Sequence, residues 1–197
     1  PAVVNIYSLS INQTPRFMRS EPEQRQELGS GVVMSEDGFI LTNYHVVNSA
    51  DQIEVVLQDG RMMQAELIGK DLLTDLALLK INASDLPVIP QKSSLRPHVG
   101  DVILAMGNPL NLGLTVTHGI ISATEKRFFD SNYVNFIQMD AAINAGNSGG
   151  AIVNSEGYLV GISTSAFEAR NENVQGIFFA IPYHTALRIM SQLAQYG

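Results

Sequence analysis

The chain has 197 residues, of which 45% are hydrophobic, and a formal net charge of −7 at pH 7. This length allows one large domain or two small ones. A negative net charge without a cluster of basic residues argues against nucleic-acid binding. The absence of cysteine excludes disulfides, thiolate zinc sites and a cysteine nucleophile. No apolar run approaches the roughly 18 residues of a membrane span, so we expect no membrane contact by this fragment. Since the chain opens directly on a strand-like segment, we interpret it as a domain excised from a longer protein.

Short β-favouring runs separated by turn signals dominate the chain and predict an all-β fold. The first half contains six predicted strands, at residues 3–9, 31–34, 39–42, 52–57, 62–69 and 76–81. The second half contains six more, at residues 101–105, 114–123, 136–139, 151–153, 158–163 and 176–181. Only residues 183–194, where apolar residues recur at helical spacing after Pro182, predict a helix.

Two polar stretches, residues 12–27 and 125–135, are predicted to be loops. The first has no periodicity and contains Pro15 and Pro22. The second mixes charged and aromatic residues, which suggests contact with a neighbouring subunit or a moving element. Residues 82–99, which include three prolines, are the predicted connector between the two halves.

Residues 31–41 and 150–160 align without gaps. Both segments consist of a glycine, an apolar run, a polar turn with glycine, an aromatic residue and an apolar pair. We interpret the match as two similar β-halves that contain the same hairpin. The alternative is that any two β-hairpins share such a pattern.

The strongest chemical signal is the segment at residues 144–150, in which Ser148 lies among glycines. Glycine lets the backbone approach a substrate closely, so the N–H groups of Gly146, Asn147 and Ser148 are predicted to form an oxyanion hole. Glycine-rich loops that bind phosphate are expected to contain a lysine, and this segment has none.

A serine hydroxyl needs a base to act as a nucleophile at neutral pH, and His45 is the predicted base. His45 directly follows the third predicted strand, and the end of a strand can hold a catalytic side chain rigidly. For His98, His118 and His184 we expect a structural or solvated role.

A third residue must orient the imidazole of the base, and Asp75 is the predicted one. Asp75 lies inside an apolar run, where a buried carboxylate needs a partner. Asp140 is the competing candidate, and its alternative role is to bond backbone amides beneath the Ser148 loop. The order His45, Asp75, Ser148 is that of chymotrypsin, and a cleft between the two halves would bring the three residues together.

Over nearly its whole length the chain resembles the HtrA family of serine proteases. Ordered motifs carry the resemblance, at residues 28–32, 42–46, 71–79, 105–109, 119–122, 146–150 and 179–182. The resemblance implies one chymotrypsin-like protease domain of two antiparallel six-stranded β-barrels with a C-terminal helix. The expected boundaries are residues 1–90, 100–182 and 183–197. It implies neither a cofactor nor a metal.

The resemblance also assigns roles to residues outside the triad. Four positions match the family's substrate-binding residues: Ile143, Thr164, Ser165 and Ala166. Four more match its regulatory sensor loop: Lys126, Arg127, Phe128 and Tyr133. Two positions depart from the family pattern, namely Phe178, where glycine is usual, and Ala145, where a larger residue is usual. These departures affect specificity and regulation rather than the catalytic groups.

In function, the resemblance implies a regulated serine endopeptidase that cuts polypeptides and works as a homotrimer. It implies a periplasmic location, with the full-length protein tethered to the inner membrane of a Gram-negative bacterium. Because the stretch at residues 12–27 is short, the resemblance further implies the regulatory protease of the family, which is expected to cut a membrane-spanning anti-sigma factor in the envelope stress response. The membrane anchor of that protease and its PDZ domain, which binds activating C-terminal peptides, would lie outside these residues. Val4, Ile6 and Tyr7 are candidates for trimer contacts.

Two alternatives to the endopeptidase are open at this point. One is a chaperone-like or peptide-binding module on a protease scaffold with little proteolysis. The other is an esterase, which would fit the Gly-x-Ser-x-Gly spelling at residues 146–150 but neither the all-β pattern nor the order of the triad.

Overall fold

The computed structural model describes residues 1–11, 24–108, 113–128, 131–144, 146–165 and 176–197. The first half of this part contains β1 (Val3–Ile11), β2 (Gln24–Val33), β3 (Phe39–Asn43), α1 (Tyr44–Val47), β4 (Gln52–Val56), β5 (Met62–Asp71) and β6 (Leu76–Ile81). The second half contains β7 (Val102–Gly107), β8 (Thr115–Phe128), β9 (Ser131–Met139), β10 (Ala151–Asn154), β11 (Leu159–Thr164), β12 (Phe178–Pro182) and α2 (Tyr183–Tyr196).

Each set of six strands closes into an antiparallel barrel. The strand order is β1-β2-β3-β6-β5-β4 in the first barrel and β7-β8-β9-β12-β11-β10 in the second, so the two barrels share one topology. The predicted all-β, chymotrypsin-like double barrel with a C-terminal helix is therefore confirmed.

Three buried apolar clusters hold this architecture together. One lies within the first barrel and includes Ile40, Val55 and Leu79, because alternate residues of a strand point into the barrel. A second lies within the second barrel and includes Ile121. The third joins residues of both barrels to α2, which packs against β5, β6 and β11. The helix therefore helps to fix one barrel against the other.

The loops predicted at residues 12–27 and 125–135 are partly wrong. β2 begins at Gln24, and β8 and β9 form a hairpin that pairs Lys126 with Phe136 and Phe128 with Ser131. Register shifts along β8 and β9 break the regular alternation that marks a strand, which is why the sequence lacked a strand signal there. Residues 12–23 lie outside the described residues.

The interpretation of the two aligned segments as one repeated hairpin is wrong. Residues 31–41 cover the turn from β2 to β3, and residues 150–160 cover the turn from β10 to β11. In the shared topology, β10 and β11 take the places of β4 and β5, not those of β2 and β3. The two barrels do resemble each other, but this match reflects the general pattern of a hairpin.

Two of the three candidates for trimer contacts are core residues. Val4 and Ile6 are fully buried in the first-barrel cluster, so their side chains cannot contact a neighbouring subunit. Tyr7 is half-buried. Among the described residues, no helix is both long and apolar enough to cross a bilayer.

Candidate active site

The side chain of His45 is fixed by a carboxylate from the same barrel. His45 lies in α1, directly after β3, and its Nδ1 is 2.7 Å from Asp75 Oδ2. The backbone N–H of His45 donates to the other carboxylate oxygen, Oδ1, at 3.0 Å. With Nδ1–H donating to Asp75, the Nε2 atom of the neutral imidazole is an acceptor and faces away from the carboxylate.

Asp75 is held in place through both its backbone and its side chain. Its φ of 58° is in the left-handed region, which aspartate tolerates better than most residues. In this conformation its carbonyl accepts from Tyr44 N at 2.9 Å and from Asn43 Nδ2 at 3.1 Å. Thr164 Oγ1, at the end of β11, donates to Oδ2 at 2.9 Å. Asp75 is 5% exposed, and these donors compensate for the burial of its carboxylate.

Asp140 is the competing candidate for the orienting acid. In the structure it bonds a backbone amide instead, which is the alternative role proposed for it. It is exposed, and its Oδ1 accepts from the backbone N–H of Ile120 at 2.7 Å. Within the described part of the chain, it makes no hydrogen bond to His45.

The Ser148 segment belongs to the second barrel but is anchored on the first. Ser30 N, in β2, donates to Ser148 O at 2.9 Å, and Ser30 Oγ donates to Gly146 O at 2.7 Å. Gly149 has φ +82° and packs so closely on β2 and β3 that a Cβ there would overlap Ser30 O. Glycine is therefore required at this position both for its conformation and for the close approach.

Two of the three predicted oxyanion donors are available. Gly146 N–H and Ser148 N–H have no acceptor among the described residues. Asn147 N–H, in contrast, donates to Asn144 O at 3.0 Å and closes a turn. The prediction for Asn147 thus needs correction, because its donor is already used inside the loop.

The nucleophile candidate and the base candidate are linked through Ser165. Ser148 Oγ is 2.8 Å from Ser165 Oγ, and Ser165 Oγ is 3.4 Å from His45 Nε2. The structure thus brings Ser148, His45 and Asp75 into one site between the barrels. Sequence reasoning named Ser165 only as a match to the family's substrate-binding residues and did not single out Ser30. The Ser165 bridge and the Ser30 anchor both depend on the packing of one barrel on the other.

The other predicted site residues lie in different surroundings. Ile143 is buried in the second-barrel cluster, and Thr164 is bonded to Asp75. Lys126 and Arg127 are exposed on β8, where Arg127 Nε donates to Asn135 Oδ1 at 2.8 Å. Three predicted side chains lie outside the described part of the structure: Phe128, Tyr133 and Ala166.

The two departures from the family pattern and the histidines outside the site add little to it. Phe178 is half-buried against the second-barrel cluster, and Ala145 lies outside the described residues. His184 Nε2 is 3.1 Å from Arg96 Nη1, and His98 is exposed.

In the described ranges, no three His, Asp or Glu side chains are grouped in a way that could bind a metal ion.

Comparisons with known proteins agree with this geometry. Residues 29–162 match the trypsin-like peptidase domain family. All of the chain is 53% identical to serine endoprotease DegS of Salmonella typhimurium, and 92% of it is 46% identical to a "probable periplasmic serine endoprotease DegP-like" of Hahella chejuensis. The solved HtrA-type protease AlgW with a tripeptide superposes on the whole chain with a TM-score of 0.87 at 46% identity.

The chain spans 55% of the DegS protein, 38% of the DegP-like protein and 61% of the AlgW chain. It therefore corresponds to about half the length of the curated DegS relative. The double barrel, the Ser-His-Asp geometry and these matches show that the chain belongs to the trypsin-like peptidase domain family, within its HtrA-type group of serine proteases.

Proposed function

We propose that this domain is a serine endopeptidase in which Ser148 is the nucleophile, His45 the general base and Asp75 the residue that orients the base. The observation that carries the proposal is the contact of 2.7 Å between His45 Nδ1 and Asp75 Oδ2, with the Ser148 hydroxyl on the Nε2 side of the same imidazole. A hydroxyl, a base and an oriented acid in this arrangement are the requirements of nucleophilic acyl transfer.

The reaction follows from the positions of these groups. Ser148 Oγ attacks the carbonyl carbon of the peptide bond while its proton passes to His45 Nε2, and the carbonyl oxygen becomes an oxyanion. The N–H groups of Gly146 and Ser148 would donate to that oxyanion. His45 then protonates the departing amine, and the acyl group stays on Ser148 as an ester. A water molecule, deprotonated by His45, attacks the ester carbonyl; the bond to Ser148 Oγ breaks, His45 returns the proton to Ser148, and the acid is released.

Asp75 and Thr164 support the charge that develops on the base. When Nε2 takes a proton, the imidazolium lies 2.7 Å from a carboxylate that is buried and therefore only weakly screened. The hydroxyl of Thr164 donates to the same carboxylate oxygen and holds it in place. The substrate backbone would lie along residues 164–166, and Ile143 would contribute to the wall of the substrate site.

The finer proposal concerns the biological substrate and the setting. From the family resemblance we propose a regulatory cut in a membrane-spanning anti-sigma factor. The similarity to serine endoprotease DegS supports the endopeptidase activity, and the names of the DegP-like relatives support a periplasmic location. We further propose a homotrimer in a full-length protein that is tethered to the inner membrane. Activation by C-terminal peptides through a PDZ domain would belong to the remainder of that protein.

The test is to label the domain with a fluorophosphonate probe and to identify the modified residue by mass spectrometry. We expect labelling at Ser148, no labelling in Ser148→Ala, and strongly reduced labelling in His45→Ala. Cleavage of an unfolded protein substrate should be lost in the same two variants. Binding of unfolded protein without cleavage and without labelling would instead support a chaperone-like module.

A matched control uses a histidine of the same chain. His98→Ala should label like the wild type, because His98 is exposed and bonds within its own turn, to Asp101. Equal loss of labelling in His45→Ala and His98→Ala would contradict the role assigned to His45.

A further inference from the structure

We propose that Ser165 is a positioning residue whose hydroxyl holds the resting Ser148 hydroxyl away from His45 and so lowers the reactivity of the nucleophile. The inference rests on the proposed function, in which Ser148 must pass its proton directly to His45. Two distances carry it: 2.8 Å from Ser148 Oγ to Ser165 Oγ, and 3.4 Å from Ser165 Oγ to His45 Nε2.

The direction of each hydrogen bond follows from the tautomer of His45. Since Nδ1–H donates to Asp75, Nε2 can only accept, and Ser165 O–H is the donor that the described residues place near it. The oxygen of Ser165 then accepts from Ser148 O–H. The length of 2.8 Å is usual for a bond between two hydroxyls, whereas 3.4 Å is long for a bond to an imidazole. The resting Ser148 proton therefore lies on Ser165 rather than on the base.

The backbone of β11 explains why Ser165 occupies this position. Successive side chains of a strand point to opposite faces, and residues 163–165 follow this rule. Thr164 donates to Asp75, whereas Ser163 Oγ, on the other face, donates to Asn147 O at 2.6 Å. Ser165 follows the end of β11 and meets Ser148 on the same side as Ser163. The two neighbouring hydroxyls are thus anchored, and the half-buried hydroxyl of Ser165 is held between nucleophile and base.

The size of the expected effect separates a holding role from a proton relay. If Ser165 carried the proton between Ser148 and His45, its loss would slow the reaction by about 10²- to 10⁴-fold. If it only holds Ser148, its loss removes one hydrogen bond between neutral groups, which corresponds to about a two- to tenfold change. The two roles also predict opposite signs, because release from a hold makes Ser148 more reactive.

The experiment measures the second-order rate of fluorophosphonate labelling at Ser148 in Ser165→Ala and in the wild type. We expect the variant to react about two- to tenfold faster, the equivalent of one neutral hydrogen bond. Ser165→Thr and Ser165→Val form a matched pair of nearly equal shape, of which only the first keeps a hydroxyl. Ser165→Val should react faster than Ser165→Thr, a difference that a purely structural role would not produce.

Two controls complete the design. Ser191→Ala removes an exposed hydroxyl on α2 that bonds Leu187 O, and it should label at the wild-type rate. On a His45→Ala background, the gain from Ser165→Ala should disappear, because no base is left for Ser148 to reach. Thermal unfolding of each variant establishes that the rates refer to folded protein.

The outcomes distinguish this inference from the proposed function. Wild-type labelling that depends on His45, together with a Ser165→Ala rate equal to or below that of the wild type, would overturn the role of Ser165 alone. Equal rates for the Thr and Val variants would do the same. Absence of Ser148 labelling in the wild type and in every Ser165 variant would overturn both proposals.

Discussion

The two barrels hold their parts of the site in different ways. In the first barrel, His45 and Asp75 are bonded to each other and to the backbone at the end of β3, mostly without help from the second barrel. In the second barrel, the Ser148 segment depends on bonds that cross to Ser30 in β2. The acid–base pair is thus organised chiefly within one barrel, with an added bond from Thr164 of the other, whereas the nucleophile is placed by the contact between the two.

Because the two parts of the site are held differently, different substitutions should damage each part. Enzyme groups act best when their geometry is set before the substrate arrives. A change to the hydrogen bonds of His45 and Asp75 should alter the chemistry of the base, whereas a change at the contact between the barrels should displace Ser148 and the oxyanion donors. Three substitutions, taken from the largest expected effect to the smallest, separate these two kinds of damage.

Asp75→Asn should have the largest effect on activity. An amide at this position keeps the shape but no longer favours the tautomer with a proton on Nδ1, and the corresponding change in a chymotrypsin-type triad lowers kcat by about 10⁴-fold. The measurement is the rate of substrate cleavage, with circular dichroism to establish that the fold is intact. Because the bonds from Ser30 to Gly146 O and Ser148 O do not involve Asp75, the Ser148 segment should keep these contacts.

The matched control is Asp140→Asn, which tests the other acid that the sequence offered. Among the described residues, the side chain of Asp140 accepts a hydrogen bond only from Ile120 N, and an asparagine oxygen can accept the same bond. We expect activity close to that of the wild type. A loss in Asp140→Asn as large as that in Asp75→Asn would show that the acid has been assigned wrongly.

Gly149→Ala tests the contact between the barrels. An alanine at φ +82° is strained, and its Cβ would overlap Ser30 O and crowd Thr42 Oγ1. Strain and overpacking together should cost about 2–5 kcal/mol of folding free energy and displace the Ser148 segment. The measurements are chemical denaturation and fluorophosphonate labelling, and we expect both stability and labelling to fall.

Gly157→Ala is the control for the backbone strain alone. Gly157 has φ +85°, and apart from Gly157 and its two chain neighbours no atom of the described residues lies within 4 Å of a Cβ built on it. Its substitution should cost only about 1–2 kcal/mol and leave the labelling rate unchanged. If the two alanine variants lost stability equally, the close packing of Gly149 on β2 would have no energetic importance.

Much of the fold could be predicted from the sequence, because barrel strands carry a local pattern. Each predicted strand overlaps a strand of the structure, and the predicted helix at residues 183–194 falls within α2. The failures have local causes. Bulges blur the alternation in β8 and β9, and α1 is too short, at four residues, to show a helical period. The aligned hairpins misled because a hairpin pattern does not specify a place in the barrel.

The site was predictable only where the residue type itself indicates chemistry. His45, Asp75 and Ser148 were proposed from type, order and setting, and the structure brings them together. The anchoring role of Ser30 and the bridging role of Ser165 could not be found in this way, because serine is common throughout proteins and its type alone indicates no chemistry. Their partners are also distant in sequence: Ser30 and Gly146 are 116 positions apart, and Ser165 and His45 are 120 positions apart. Only the packing of the barrels reveals these roles.

Ser30→Ala should have a smaller effect than Asp75→Asn or Gly149→Ala. It is the most specific test of whether the first barrel places the Ser148 segment of the second. The substitution removes the donor to Gly146 O and the acceptor for Asn108 N, at 2.7 and 2.9 Å, in a site with no solvent exposure. Loss of one partner in a buried hydrogen bond costs about 1–3 kcal/mol. We expect labelling of Ser148 to slow as well, because Gly146 supplies an oxyanion donor.

Ile81→Val, in the core of the first barrel, is a control that also lowers the folding free energy but does not touch the site. It should cost about 0.5–1.5 kcal/mol through a small cavity, and none of the hydrogen bonds of the site involves its side chain. If slower labelling followed from lower stability alone, both variants would slow in proportion to their loss of folding free energy. A slower rate in Ser30→Ala only would show that a hydroxyl of the first barrel sets the geometry of the nucleophile segment in the second.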